Sequence, residues 1–546
     1  MEAGIHGVWR EYRNTFGVME NSIGLNLDEI LTPYTPSALY SKSGKVAVAP
    51  VMNSDDEEIA KTTARRNPME SPSSMLQSTN KNPTDSFLKP LAAMLPPPLD
   101  LALLADFQTT SPLSTADRVS AIGLLGAWAD FRQEDETSWN IYDKVSAEEL
   151  FLKTAGITPT LYQELVSPLL HVLPMCPGYD CSAAAALSCF HVFALQAKGA
   201  FDVRWCRAGI AESIFNPWAT KLTTGGVNIH GNSKVTSIAS DNNQQLEICL
   251  MGNTTDPILC DAVILAVGGT AMGRLADASP IFDTIPMAKT FDKLRGVTCV
   301  AVRLFLKPHP MATSGLTGGQ YDSTTLPPDV AKAMKESPVA VCGPQMGNMP
   351  HLKETGFCIY DLQRLHDEFS VANNPQNTTA VLEVDFFRAD AIADMDDNQV
   401  AKIALKAVSA SLRTKRIPFE DVVDLAVVRA RNAVSHFTVN SASYSPDVRL
   451  YAPNIYMCGD WIDRKGHASW STEKAVVTGR QAAQAVLEDY TSSNVVTKID
   501  IIPAASDTPP LQALRSTAKV LRSVVPPPGN GIPPSPWAFL QSLSQR

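Results

Sequence analysis

The stretch NIYMCGDWIDRKGHASWSTEKAVVTGRQAAQAVLEDY, Asn454 to Tyr490, decides how this chain is read. Ile455, Tyr456 and Met457 form a short continuous apolar run, the pattern of a buried strand. Asp460 stands just past its end. Ser471 or Thr472 can cap the helix that follows, and Glu473 belongs in its first turn. Ala475, Val476, Val477, Ala482, Ala483, Ala485 and Val486 give that helix a small apolar face, and Gly479 allows close approach to its backbone. Free amides at such a helix start attract anions and electron-rich atoms. An acidic residue beside them can accept hydrogen bonds from a sugar or polyol. The stretch reads as half of a cofactor site.

The chain around it has 546 residues, enough for more than one domain. Hydrophobic residues make up 45% and charged residues 19%, an ordinary globular balance. The net charge of -10, with no basic stripe interleaved by aromatics, argues against a nucleic-acid partner. Ten cysteines are scattered without paired zinc spacing, which suits a reducing, intracellular setting. In CPGYDC, Cys176 and Cys181 are separated by four residues and read as free thiols. His171, His191 and His436 have no convergent spacing, so no metal site is expected. The most apolar helix candidate, Ala183 to Ala197, is too short for a simple span and carries Ser, His and Gln. It reads as a buried helix, and no transmembrane segment is expected. The opening MEAGIHGVWREYRNTF carries no targeting pattern.

Seven segments follow from the patterning. Residues 1–50 read as folded, with a helix stopping at Gly24. Residues 51–86 are polar and aperiodic and read as a disordered insertion. Residues 87–204 are dominated by helical patterns. Residues 205–289 carry strands in GGVNIHGNSKVTSIAS, QLEICLMG and Asp261–Val267. Residues 290–449 hold the alternating strands TCVAVRLFLKP and TAVLEVDFF and the amphipathic helix DNQVAKIALKAVSASL. Residues 450–490 are the opening stretch, and the Pro-rich residues 491–546 read as a disordered tail.

Three stretches resemble the FAD-dependent amine oxidase and phytoene desaturase-like superfamily, and within it the carotenoid desaturase-like branch. They are EAGIHGVWREYRNTFGVMENSIGL, VRWCRAGIAESIFNPWATKLTTGGVNIHGNSKVTSI and RLYAPNIYMCGDWIDRKGHASWSTEKAVVTGRQAAQAVL. The resemblance implies an α/β fold: a split Rossmann-like FAD-binding domain, formed by residues 1–50, 205–289 and 450–490, beside an α+β substrate domain. It implies FAD as cofactor. Gly459 and Asp460 would serve the pyrophosphate and ribityl region, and Thr472, Glu473, Lys474 and Ala475 would lie near the pyrimidine ring, with Gly479 close by. Val235 would lie near adenine. His6, Arg10, Arg13, Arg207, Trp461 and Trp470 are further candidates, each equally readable as structural. No protein nucleophile or other catalytic residue is assigned, because hydride transfer to flavin needs none.

One departure from the family pattern is large. The strand, G-x-G-x-x-G turn and helix that normally grip the pyrophosphate are absent from the sequence; VGGTAMGRL has the wrong spacing. The expectation is an N-terminally truncated form of the fold, with FAD binding weak or lost. The function expected is hydride transfer from an apolar small molecule, a carotenoid or another isoprenoid, to flavin. The alternatives are an amine oxidase-like flavoenzyme and an inactive flavoprotein-like scaffold. Peripheral membrane contact and a plastid location are compatible with the resemblance.

Overall fold

The computed structural model describes residues 2–49, 51, 112–195, 199–240, 245–315, 322–373, 379–450, 454–467, 471–491, 497–524 and 532. The expected insertion at 51–86 therefore lies almost wholly outside the described residues, as does Trp470.

A seven-stranded sheet forms the body. Its order is Val422–Ser435, Gly296–Leu306, Ala380–Phe387, Gly356–Asp361, Val339–Cys342, Ser37–Ser41 and Gly44–Ala49. All neighbours are antiparallel except Val339–Cys342 with Ser37–Ser41. The side chains divide by the strand period of two. Val300, Val302, Leu304, Ile359 and Val384 face a core shared with Val400, Ala404 and Val408 of the Asp397–Leu412 helix. Val339, Val341, Cys358 and Tyr360 face the helical region, with Leu150, Phe151 and Ala183. Both faces are covered, which is why Gly356–Asp361 is buried throughout. Ala183–Phe190 is the expected buried helix and continues as a wider turn, His191–Leu195.

The second unit is smaller. Val263–Leu265 pairs in parallel with Ile455–Met457, joining Val263 to Ile455 and Leu265 to Met457. A three-stranded meander, Val235–Ser240, Leu246–Leu250 and Asn253–Cys260, lies alongside. Gly269–Asp277 follows the first parallel strand and Thr472–Tyr490 follows the second.

Three expectations need correction. Residues 37–49, expected with the rest of 1–50 in the FAD-binding domain, complete the large sheet instead: Ala38 and Tyr40 pair with Ala340 and Cys342 and share their apolar core. In the segment from Gly225 to Ser240, only Val235–Ser240 is strand, and Val227 and Ile229 are exposed. The tail is not irregular throughout, since Pro509–Val524 is a helix. Its prolines occupy the first turn, where no amide is needed. Leu511 is buried, and Arg515 pairs with Asp507 at 2.6 Å while donating to the Phe131 carbonyl.

Candidate active site

The carboxyl ends of the two parallel strands open on one cavity of about 350 Å3 between the two sheets. Crevices at such strand ends are where α/β sheets bind ligands. Past Leu265 come Gly268 and Gly269, and past Met457 come Gly459 and Asp460. The opposite wall is the end of the long Val422–Ser435 strand, where the register slips between Ala430 and Val434. Bulges of this kind aim side chains at sites. The bulge presses on Gly296, where a Cβ would stand 2.5 Å from the Asn432 carbonyl oxygen. Only glycine allows that approach.

Asp460 lies in the cavity wall, and its Oδ1 accepts a hydrogen bond from Ser435 Oγ at 3.2 Å. Burial pushes its carboxyl above the ordinary value, against the hydrogen bond from Ser435 and the charge of Arg464. Gly459 has φ +141°, which side-chain-bearing residues rarely adopt. Its amide donates to Thr478 Oγ1 at 2.9 Å, tying the strand end to the following helix. Arg464 is buried, donates to Ser441 Oγ at 2.8 Å and lies 4.4 Å over the Phe437 ring. Burial pushes its guanidinium down to about 10, against the pull of Asp143 and Asp460.

The Gly269–Asp277 helix starts in the cavity wall with Gly268 as an uncapped N-cap. A Cβ at Gly268 would meet nothing within 4 Å. Arg274, Arg295 and Arg431 join Arg464 in the lining. Arg431 is held by Asp394 at 2.5 Å. Arg431 and Arg464 have acidic partners, but Arg274, Arg295 and the positive end of a helix line the same wall, so the cavity favours an anion. A phosphate-bearing cofactor fits this wall: the open space at Gly268 admits close approach, the helix amides and arginines suit a diphosphate, and Asp460 suits a polyol.

Apart from Trp461, the other expected residues described lie elsewhere. Glu473 is buried, with its carboxylate accepting from the Asn14 and Thr15 amides, Asn14 Nδ2 and Thr15 Oγ1. Lys474 is buried, donating from Nζ to the Lys465 carbonyl at 2.7 Å; burial pushes its ammonium down to about 8. Ser471, not Thr472, caps the helix, accepting from the Lys474 amide, and Thr472 is exposed. Ala475 and Gly479 are half-buried, and a Cβ at Gly479 would meet open space. Val235 is exposed on its strand. Trp461 packs on Phe291 and donates to the Val267 carbonyl at 2.9 Å while touching the cavity. Arg10 pairs with Asp202, Arg13 with Glu11, and Arg207 donates to the Leu31 carbonyl. His6 stands 3.6 Å from Glu2.

Sequence reading missed Gly268, Gly269, Ser435, Arg274, Arg295, Arg431 and Arg464. The one usable signal was the glycine pair ending an apolar strand, set aside for its spacing. The bulge and the arginines carried none, because distant segments assemble them.

The sequence profile of flavin containing amine oxidoreductases matches residues 1–487. The chain belongs to this family. Its two-domain fold is that of flavin amine oxidoreductases, and a flavin is the cofactor the family uses. Cyclohexylamine oxidase from Brevibacterium oxydans IH-35A is 12% identical, with a TM-score of 0.53, covering 89% of this chain and 87% of that one. Putrescine oxidase bound to putrescine is 12% identical, with a TM-score of 0.50 and coverages of 89% and 88%. A candidate protoporphyrinogen oxidase from Exiguobacterium sp. 255-15 is also 12% identical, with a TM-score of 0.50 and coverages of 88% and 86%. These likenesses show the fold. No curated protein matches the sequence. None of these findings shows the carotenoid desaturase branch or the expected truncation. Among the described residues, no helix is long and apolar enough to cross a membrane.

Proposed function

We propose that this family member is an FAD-dependent oxidoreductase that oxidises a small organic amine. The observation that carries the reading is the meeting of both parallel strand ends, through Gly268 and Asp460, on one electropositive cavity. When bound, FAD supplies a two-electron acceptor able to take a hydride equivalent from the carbon beside an amine nitrogen. Asp460 accepts hydrogen bonds from the cofactor's polyol. The uncapped amides at Gly268 and Gly269, with Arg274 and Arg295, hold its diphosphate. Trp461 and the bulge at Asn432 wall the site against water.

The isoprenoid substrate expected from the sequence gives way to an amine because two of the proteins of similar fold are named as amine oxidases. A second reading is a flavoprotein-like scaffold that binds FAD without turnover. Anaerobic mixing with excess FAD and a panel of primary amines separates the two. Bleaching of flavin absorption by an amine supports the enzyme. Bound flavin that no amine reduces supports the scaffold, and reduction by a carotenoid alone would restore the isoprenoid reading.

A further inference from the structure

Outside the cavity, but sharing one residue with it, three different ligand types converge. Cys176 Sγ lies 3.1 Å from His436 Nε2, and Asp180 Oδ2 lies 3.6 Å from the same nitrogen. The three ligand atoms all fall within 4.8 Å of one another. Cys176 is fully buried, and the Cys181 thiol stands beside it. His436 lines the cavity and follows Ser435, the residue that hydrogen-bonds Asp460.

The arrangement is not that of a nucleophile relay. A relay places the nucleophile on one imidazole nitrogen and the carboxylate on the other. Here both partners gather at Nε2, around a common point. A tetrahedral zinc with bonds of about 2.0–2.3 Å spaces its ligand atoms roughly 3.3–3.6 Å apart. The two observed separations bracket that spacing. The backbone holds the segments in place: Ser182 donates to the Phe437 carbonyl at 2.9 Å and Val439 to the Asp180 carbonyl at 3.1 Å. We propose that Cys176, Asp180 and His436 form a binding site for a borderline-soft divalent cation of the zinc class, adjoining the flavin cavity. Thiolate and imidazole ligands together select such a cation over magnesium or calcium.

Arg388 opposes the cation. Its Nη1 lies 3.2 Å from Asp180 Oδ2 and neutralises the carboxylate when no cation is bound. A metal therefore competes with Arg388 for Asp180. Removing that guanidinium should tighten metal binding, whereas a purely structural ion pair would give only lost stability.

The test uses the tag-free full chain titrated with Co2+ and followed by absorption. The expected result is a thiolate-to-cobalt charge-transfer band with tetrahedral visible bands, saturating near one equivalent. Zn2+ should displace it and Mg2+ should not. Cys176→Ser and His436→Gln should abolish the band, and Arg388→Gln should lower the apparent Kd several-fold. No thiolate band at stoichiometric Co2+, a band that survives in Cys176→Ser, or an unchanged or weakened affinity in Arg388→Gln would overturn the proposal. The last variant keeps thiol and imidazole intact, so the test stands even if the other two fold poorly. The outcome is independent of flavin binding.

Discussion

Glu473 and Asn14, 459 positions apart in the chain, share one hydrogen-bonded pair: Glu473 Oε1 accepts both the Asn14 backbone amide at 2.9 Å and its Nδ2 at 2.7 Å. Oε2 takes the Thr15 amide and hydroxyl, each at 2.8 Å. The Arg13–Gly17 helix has Tyr12 at its N-cap, which offers no side-chain cap. Glu473 supplies that cap from the start of another helix and so joins the N-terminal segment to the C-terminal one. Glu473→Ala would leave buried donors unsatisfied and should cost about 3 kcal/mol. Glu473→Gln, which keeps one acceptor, should cost about half as much. Urea denaturation midpoints measure both, and an alanine variant as stable as the parent would refute the capping role.

Lys474 gives a signed pH dependence. Burial lowers its ammonium from 10.5 to about 8, so the folded chain binds fewer protons than the unfolded chain between those values. Stability therefore carries the full penalty below pH 8 and rises as pH climbs towards 10.5, by about 3 kcal/mol in all. Lys474→Met removes this pH dependence. The parent should gain stability relative to the variant between pH 7 and pH 10 in urea unfolding. Parallel profiles would show that the amine is not depressed.

Arg515 anchors the Pro509–Val524 helix through Asp507 and the Phe131 carbonyl. Arg515→Ala should detach that helix while leaving the sheet intact. Limited proteolysis should then cut in residues 497–524 at least several-fold faster, with the rest of the chain protected. Unchanged cleavage would mean that Leu511 and its neighbours hold the helix without the ion pair.

Much of the fold was legible where one segment carries its own signal. The apolar run Ile455–Met457 and the periodic helix Asp397–Leu412 appear with the expected bounds. Ser182 and Ser471 cap helices as their residue type suggests. What stayed hidden depends on partners far along the chain. Nothing in SALYS tells that it pairs with VAVC of Val339–Cys342. Proline density in the tail masked a helix whose prolines sit where a first turn tolerates them. Asp460 was legible as a strand-end acid, but Ser435 and the arginines around it are gathered by a bulge and by strand ends from three regions. His436 and Cys176 stand 3.1 Å apart in space but 260 positions apart in the chain, so no spacing in the sequence links them.

Gly268 separates site from scaffold. Its φ of -66° is ordinary, and a Cβ there meets nothing within 4 Å. Gly268→Val should fold normally and fill the space at the helix start, weakening flavin binding about tenfold or more. Thermal unfolding and flavin titration together check it. A valine variant that binds flavin like the parent would move the diphosphate away from this helix.

The most direct measurement is the equilibrium affinity for FAD of the parent and of Asp460→Ala, titrated with excess cofactor and followed by flavin fluorescence. Asp460 contributes a charged acceptor worth about 1.5–3 kcal/mol. The account predicts saturable binding to the parent and about tenfold or greater weakening in the variant. Equal affinity in the two, with both chains folded, would contradict a flavin held at the carboxyl ends of the parallel strands.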